Sequence, residues 1–262
     1  MVAAASQSKS TARAAALLAC FTPEEPTQKV ADLSRKLDMH PTTVWRYLGA
    51  LTASRLLERD QKTDSYRLGL RVLELSSVVL GQLEVRKHAT DQMDGIRDDT
   101  GFLTNLALLR DAEVVHVAHA FPEGWPRWNM DLGRAAPANC TSLGKVLLAT
   151  LPTEEAIARV EAAGWRPCTP NSIVDAETLR AQLELTRERG YAIDDEERRL
   201  GLMCVAVPIL GPNSETEAAL SVTGRAEVVL QQDPEKIAER LKAVARRISA
   251  RLGAIDAPLA YL

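Results

Sequence analysis

Residues 28–57, QKVADLSRKLDMHPTTVWRYLGALTASRLL, place two amphipathic runs only a few residues apart, and a helical hairpin accommodates both. In the first, Val30, Leu33 and Leu37 recur at helical spacing. Asp38, Met39 and His40 supply a turn, and Pro41 suits the first position of a new helix, where its missing N–H removes no bond. With an advance of about 100° per residue, Val44, Tyr47, Leu48 and Leu51 fall on one side of that second helix. Thr42, Arg46, Gly49 and Ala53 fall on the other, flanked by Thr43 and Trp45. Such a face, with hydroxyls and a cation toward its N-terminal end, fits a helix entering a DNA major groove. Taken alone, the stretch equally fits an ordinary helical hairpin.

The neighbouring residues extend the pattern. Thr11–Phe21 is predicted as a preceding helix, with Ala14, Leu17, Leu18 and Phe21 apolar, ended by Pro23-Glu-Glu-Pro26. Leu56-Leu57-Glu58 and Tyr66-Arg67-Leu68 are strand candidates around the polar turn Arg59–Ser65. Three helices and a hairpin make a winged helix-turn-helix over residues 1–68. Arg59 and Lys62 near the hairpin tip fit either a phosphate or minor-groove contact or a pair of solvated charges. Ten Lys/Arg against seven Asp/Glu give residues 1–68 a net +3, leaving −6 for the rest of a chain whose total is −3. A mildly basic head on an acidic body suits a DNA reader joined to another domain. Over residues 69–83, Leu70, Leu73, Ser77 and Leu80 form a short seam suited to a dimerising linker helix or to packing on its own domain.

From residue 84 to 262 the texture changes. A helix is expected over Val85–Thr100, then strands Phe102–Leu109 and Glu113–Ala120 joined at Arg110-Asp111-Ala112. GWPRWNMDLGRAAP, residues 124–137, reads as an irregular connection carrying Trp125 and Trp128. Helices follow at Thr141–Leu151, Glu154–Ala163 and Ala176–Arg189, the last closed by Gly190. Strands are expected at Tyr191–Asp194, Met203–Leu210 and Ala218–Thr223, and a long helix at Pro234–Leu252 closed by Gly253. This is an α+β, sensor-like domain with a mixed or antiparallel sheet. Cys20, Cys140, Cys168 and Cys204 lack the paired spacing of a zinc site or a redox dithiol and read as buried thiols. The apolar run after Arg13 leads into acidic residues rather than a cleavage site, and no run reaches membrane-spanning length. A cytoplasmic protein without membrane association is the expectation.

Catalytic and metal signatures fail residue by residue. Gly144-Lys145 ends like a phosphate loop, but Asn139 stands where its first glycine belongs and Val146 where Ser or Thr should follow. Cys140 replaces the leading glycine of a nucleophile elbow around Ser142. His116 and His119 on a regular strand would point to opposite faces, which argues against chelation. Asp194-Asp-Glu-Glu197 reads as a solvated corner rather than paired catalytic acids. No catalytic residue, metal or cofactor is therefore expected. Cys140-Thr-Ser-Leu-Gly144 opens a helix that Thr141 or Ser142 could cap. The N–H groups of Ser142, Leu143 and Gly144 would then face any anion placed there, and a simply capped helix is the other reading.

Five elements in order, VADLSRKLDMHPTTVWRYLGALTASRLLE with YRLGLRVLEL, TSLGKVLLA, RGYAIDDEERRLGLMCVAVPI and ALSVTG, make the chain resemble IclR-type bacterial transcriptional regulators over nearly its whole length. The resemblance implies an N-terminal winged helix-turn-helix, a linker helix and a C-terminal GAF/PAS-like effector domain. It implies homodimers or homotetramers that bind a double-stranded operator and a small organic effector, and repress or activate catabolic genes. By position it puts Thr42, Thr43, Arg46 and Trp45 at the DNA. It puts Ser142, Leu143, Asp194, Cys204, Ser221 and Thr223 around the effector. Thr141, Ser142 and Leu143 are bulkier than the family's small versions of this helix start, and Trp125 and Trp128 precede it. An aromatic acid or amide-like derivative is the expected effector, unless the two Trp side chains simply cover the sheet. Two alternatives fit the same residues: a thiol-based redox regulator using Cys140 or Cys204, and an enzyme using the effector cavity.

Overall fold

The computed structural model describes residues 9–126 and 132–254, in two compact units that meet in sequence at Gln82 and Leu83. The N-terminal unit begins with α1 (Lys9–Leu18), a two-residue strand β1 (Thr27–Gln28), α2 (Val30–Leu37) and α3 (Pro41–Ala53). Asp38 adopts the left-handed conformation that ends α2, and the His40 ring accepts the Thr42 N–H at the start of α3. The hairpin β2 (Leu57–Asp60) and β3 (Ser65–Leu68) pairs antiparallel, with β1 added outside β3. Val44, Tyr47, Leu48 and Leu51 are buried as their spacing requires, packed with Leu17, Leu33, Met39, Leu57 and Tyr66. The helix α4 (Arg71–Gln82) buries none of its residues within this chain, and Leu70, Leu73, Leu75, Val78 and Val79 are all exposed.

The C-terminal unit is built on one six-stranded antiparallel sheet. Its elements are α5 (Glu84–Thr100), β4 (Leu103–Arg110), β5 (Glu113–Ala120), β6 (Ala135–Pro137), α6 (Ser142–Ala149) and α7 (Thr153–Ala163). They continue with α8 (Ala176–Arg189), β7 (Ala192–Asp195), β8 (Leu202–Leu210), β9 (Thr216–Arg225), α9 (Ala226–Gln231) and α10 (Pro234–Leu252). Strand order is β6-β5-β4-β9-β8-β7. Helices α5 and α10 pack together on the sheet, while α6 packs on it with α8 and α7 through Leu143, Val146, Leu147, Ala107, Ala206 and Ala219. The strands β1 and β6 and the helix α9 were not expected from sequence. Gly190 takes a left-handed φ of 71° and its N–H closes α8 on the Thr186 carbonyl, a conformation in which a side chain would be strained.

Two expectations are corrected by the strands and their ends. Leu106 pairs with Ala118, but Ala107 pairs with His116, so Val117 is an extra residue in β5. That bulge resets the alternation and brings His116 and His119 to one side, their rings stacked at 5.1 Å. The acidic run is not a solvated corner either, because Asp194 and Glu197 are buried beneath α6 while Asp195 is exposed. Among the described residues no helix is long and apolar enough to cross a membrane.

Candidate DNA-reading face and effector cavity

On α3 the core face leaves Thr42, Arg46 and Gly49 exposed and Thr43 half-buried. The Arg46 guanidinium lies 5.4 Å over the Tyr47 ring, which keeps it along the helix surface. Trp45 is half-exposed and meets Tyr66 of β3 edge-on at 6.2 Å. Arg59 stacks 4.8 Å over Trp45 and is paired with Asp64 at 2.6 Å. Arg59 thus ties α3 to the wing, an internal role that its place near the hairpin tip did not suggest. Lys62 is exposed at the tip, where its backbone N–H donates to Asp60.

In the C-terminal unit a cavity of about 670 Å³ opens between the sheet and the start of α6. Ser142, Leu143, Asp194, Cys204, Ser221 and Thr223 all line it. The register explains why. Thr223 pairs with Cys204, and Cys204 with Asp194, so three side chains form one row across β9, β8 and β7. Ser221, two residues before Thr223, shares their face and pairs with Asn105 of β4. The Asn105 amide donates to the Ser221 and Thr223 hydroxyls at 3.2 and 3.1 Å, and its carbonyl accepts from His119 Nδ1 at 2.9 Å. The Cys204 thiol touches the Thr223 hydroxyl at 3.2 Å.

The start of α6 needs a glycine. A Cβ on Gly144 would lie 2.2 Å from the Ala138 carbonyl oxygen, so the short turn Ala138–Cys140 can press against the helix only there. Thr141 caps the helix by accepting the Gly144 N–H at 3.1 Å. That N–H is therefore not available to an anion, and of the expected trio only those of Ser142 and Leu143 remain.

Charge is unevenly distributed around the cavity. Asp194 accepts the backbone N–H groups of Glu197 (2.8 Å) and Arg198 (3.2 Å). Burial, reinforced by the nearby Glu197 carboxyl, pushes its pKa up to about 7 despite Lys145 and these bonds. Behind it, fully buried Lys145 of α6 pairs with Glu197, whose second carboxylate oxygen has no hydrogen-bond partner. Burial raises the Glu197 carboxyl, and Lys145 offsets this only in part. His116 lines the cavity with a buried Nδ1 lacking a partner, and burial lowers its pKa to about 3, so the ring is neutral. Arg134, Arg198 and Arg199 line the cavity as well.

Asn105, His116, Arg198 and the loop residues Cys168 and Thr169 were missed from sequence. Asn105 becomes visible only through the β4–β9 register, and His116 only through the bulge. Trp125 is not among the lining residues, and its backbone N–H donates to the Pro122 carbonyl in a turn after β5. Trp128 lies outside the described residues. Among the described residues no group of three or more His, Cys, Asp or Glu is placed to hold a metal ion.

A helix-turn-helix with a wing, followed by an antiparallel-sheet domain with a cavity lined by both apolar and polar side chains, defines a class of DNA-binding regulators. The model of the IclR helix-turn-helix domain matches residues 10–61, and that of the bacterial transcriptional regulator IclR C-terminal matches residues 77–250. The chain belongs to the IclR family of bacterial transcriptional regulators. It is 29% identical over 245 residues to the HTH-type transcriptional regulator XynR of Escherichia coli K12, covering 94% of this chain and 97% of that protein. An IclR transcriptional regulator from Alicyclobacillus acidocaldarius shares the fold with a TM-score of 0.80 at 28% identity, covering 94% of this chain and all (100%) of the other. An IclR homologue from Microbacterium hydrocarbonoxydans, solved in complex with 4-hydroxybenzoate, has a TM-score of 0.78 at 24% identity, covering 93% of this chain and 98% of the other. The chain is a DNA-binding transcriptional regulator, in keeping with relatives named as regulators rather than enzymes.

Proposed function

We propose that a small organic anion held in the C-terminal cavity modulates operator binding by this regulator, and that its targets are catabolic genes. The observation that carries the reading is the convergence of Ser142, Leu143, Asp194, Cys204, Ser221 and Thr223 with Asn105 on one cavity. The Ser142 and Leu143 N–H groups and the lining arginines favour a carboxylate end. Ala135, Ala136, Leu200 and Leu202 suit an apolar or aromatic body. A protein of the same fold holds 4-hydroxybenzoate, which supports an aryl acid or amide-like derivative as the class. In this reading residues 1–68 bind DNA, 69–83 link, and 84–262 sense. The exposed apolar side chains of α4 support association into a homodimer, or a homotetramer through further contacts.

Footprinting the DNA upstream of the gene, with and without 4-hydroxybenzoate and related aryl acids, tests the reading. Protection that shifts with one of them supports it, and protection indifferent to all of them counts against this ligand class. Calorimetry alongside Trp fluorescence separates binding from Trp contact: heat without a fluorescence change places the Trp side chains away from the ligand. For the DNA face, Arg46→Ala is expected to weaken operator binding by about 1–3 kcal/mol if the guanidinium reads a base. An equal loss on random DNA would make it a phosphate contact. A two-fold assembly implies a palindromic or repeated operator.

A further inference from the structure

Cys140 and Cys168 stand 28 positions apart in sequence, yet their sulfurs lie 3.5 Å from each other. Neither spacing nor motif announces the pair. The two sulfurs differ in setting. Cys140 ends the short turn before α6 and is fully buried, which pushes its thiol well up. Cys168 is half-exposed in the loop between α7 and α8 and lines the cavity. The Arg198 guanidinium donates to its sulfur at 2.9 Å, the kind of electropositive surrounding that nucleophilic cysteines share.

The loop holds that position by bonds of its own. Ser172 Oγ accepts the N–H groups of Cys168 and Thr169, at 2.8 and 3.0 Å, and donates to the Glu197 carbonyl. The Thr169 hydroxyl reaches the Glu196 and Glu197 carbonyls. Cys168 is thereby fixed against the turn that carries Arg198. Cys204 is not the partner, since its thiol lies against the Thr223 hydroxyl.

We propose that Cys140 and Cys168 form a peroxide-oxidisable dithiol, with Cys168 the reacting sulfur and Cys140 the resolving one. The oxidant is hydrogen peroxide or an alkyl hydroperoxide entering by the cavity. The Cys168 thiolate attacks a peroxide oxygen and the O–O bond breaks. This leaves Cys168 as a sulfenic acid and releases hydroxide, or alkoxide, which takes up the thiol proton. The Cys140 sulfur, losing its proton, then attacks the Cys168 sulfur. The S–S bond forms as the S–O bond breaks, and water leaves. With hydrogen peroxide, two thiols and one peroxide give one disulfide and two waters: each sulfur gives up one electron to the peroxide oxygens. The bond ties the start of α6 to the α7–α8 loop and consumes the nucleophilic sulfur beside Arg198. Two walls of the cavity are locked together, whatever ligand the cavity takes.

The test uses the full-length reduced protein and hydrogen peroxide. Thiol counting after denaturation is expected to fall from four to two, with dithiothreitol restoring all four. Tryptic mapping is expected to yield the Cys140 and Cys168 peptides joined within one chain, two hydrogens lighter than their sum. Cys20→Ser and Cys204→Ser should leave the cross-link in place. Cys168→Ser, at a half-exposed position and checked by near-UV circular dichroism, should abolish it and leave Cys140 a free thiol. The proposal is overturned if no thiol is lost, if Cys168 proceeds to sulfinic acid while Cys140 stays reduced, or if the disulfide joins two chains.

Discussion

Lys145→Met is expected to destabilise the C-terminal unit by about 3–5 kcal/mol at pH 8, the usual effect of removing one member of a buried ion pair. Lys145 has no exposed surface, and its ammonium pairs with a Glu197 carboxylate whose other oxygen is already without a partner. Methionine fills similar volume, so cavity formation contributes little and the missing charge dominates. Without the cation, Glu197 must either ionise unpaired or remain protonated, and its carboxyl, already raised by burial, rises further. A carboxyl raised in the native state removes stability as pH climbs from its unfolded value toward its folded one. The loss should therefore be largest at high pH and shrink toward pH 5. The double replacement Lys145→Met with Glu197→Gln is expected to recover most of it, since the unpaired charge disappears with its partner. Urea unfolding at pH 8 and pH 5, followed by circular dichroism, checks all three. A loss below about 1 kcal/mol for the single variant would mean that water reaches Glu197 and replaces the ammonium. The site is affected too, because this pair joins α6 to the turn that follows Asp194 of β7 and bears Arg198.

Where a local rule decides the structure, the residues announced it. Val44, Tyr47, Leu48 and Leu51 recur at the helical period and are buried together, and Asp38 and Pro41 mark the turn between the two helices. Gly190 ends α8, and Pro234 and Gly253 bound α10 where expected. Ser221 and Thr223 could be placed on one face by alternation alone. Pairs made through space left no such trace. The bulge at Val117, which overturned the reading of His116 and His119, is set by the β4–β5 register rather than by any residue type. The Lys145–Glu197 and Cys140–Cys168 pairs bridge 52 and 28 positions, each closed only when α6 lies on the sheet. The acidic run misled for the same reason: charge alone suggests solvent, and only α6 packed above it makes Asp194 and Glu197 a buried cluster. The family resemblance named the row Thr223, Cys204 and Asp194, but the register shows why those three meet.

Asp194→Asn is expected to have the opposite sign, stabilising the C-terminal unit by about 3–4 kcal/mol above pH 8 and by almost nothing near pH 4. Asp194 is 2% exposed and its pKa stands at about 7, raised first by burial and then by Glu197. An unfolded aspartate titrates near about 3.9, so the native state holds the proton more tightly over roughly three pH units. Such a group weakens the fold progressively from about pH 4 to pH 7 and by a constant amount beyond. Asparagine removes that penalty, and its carbonyl oxygen can still accept the N–H groups of Glu197 and Arg198. The comparison is made as a difference between the two chains at each pH, which cancels the titration of groups they share. Equal pH dependence in both would show that Asp194 is hydrated enough to ionise freely. The same proton bears on the cavity. Protonated Asp194 can donate to an anionic ligand, whereas ionised Asp194 repels it, so an aryl carboxylate should bind with proton uptake above pH 7. Its affinity in the parent chain should fall by up to about tenfold per pH unit there. The asparagine variant, whose amide donates at every pH, should lose that dependence. Calorimetry in buffers of different ionisation heat reads the proton directly, and uptake that persists undiminished in the asparagine variant would assign it to another group.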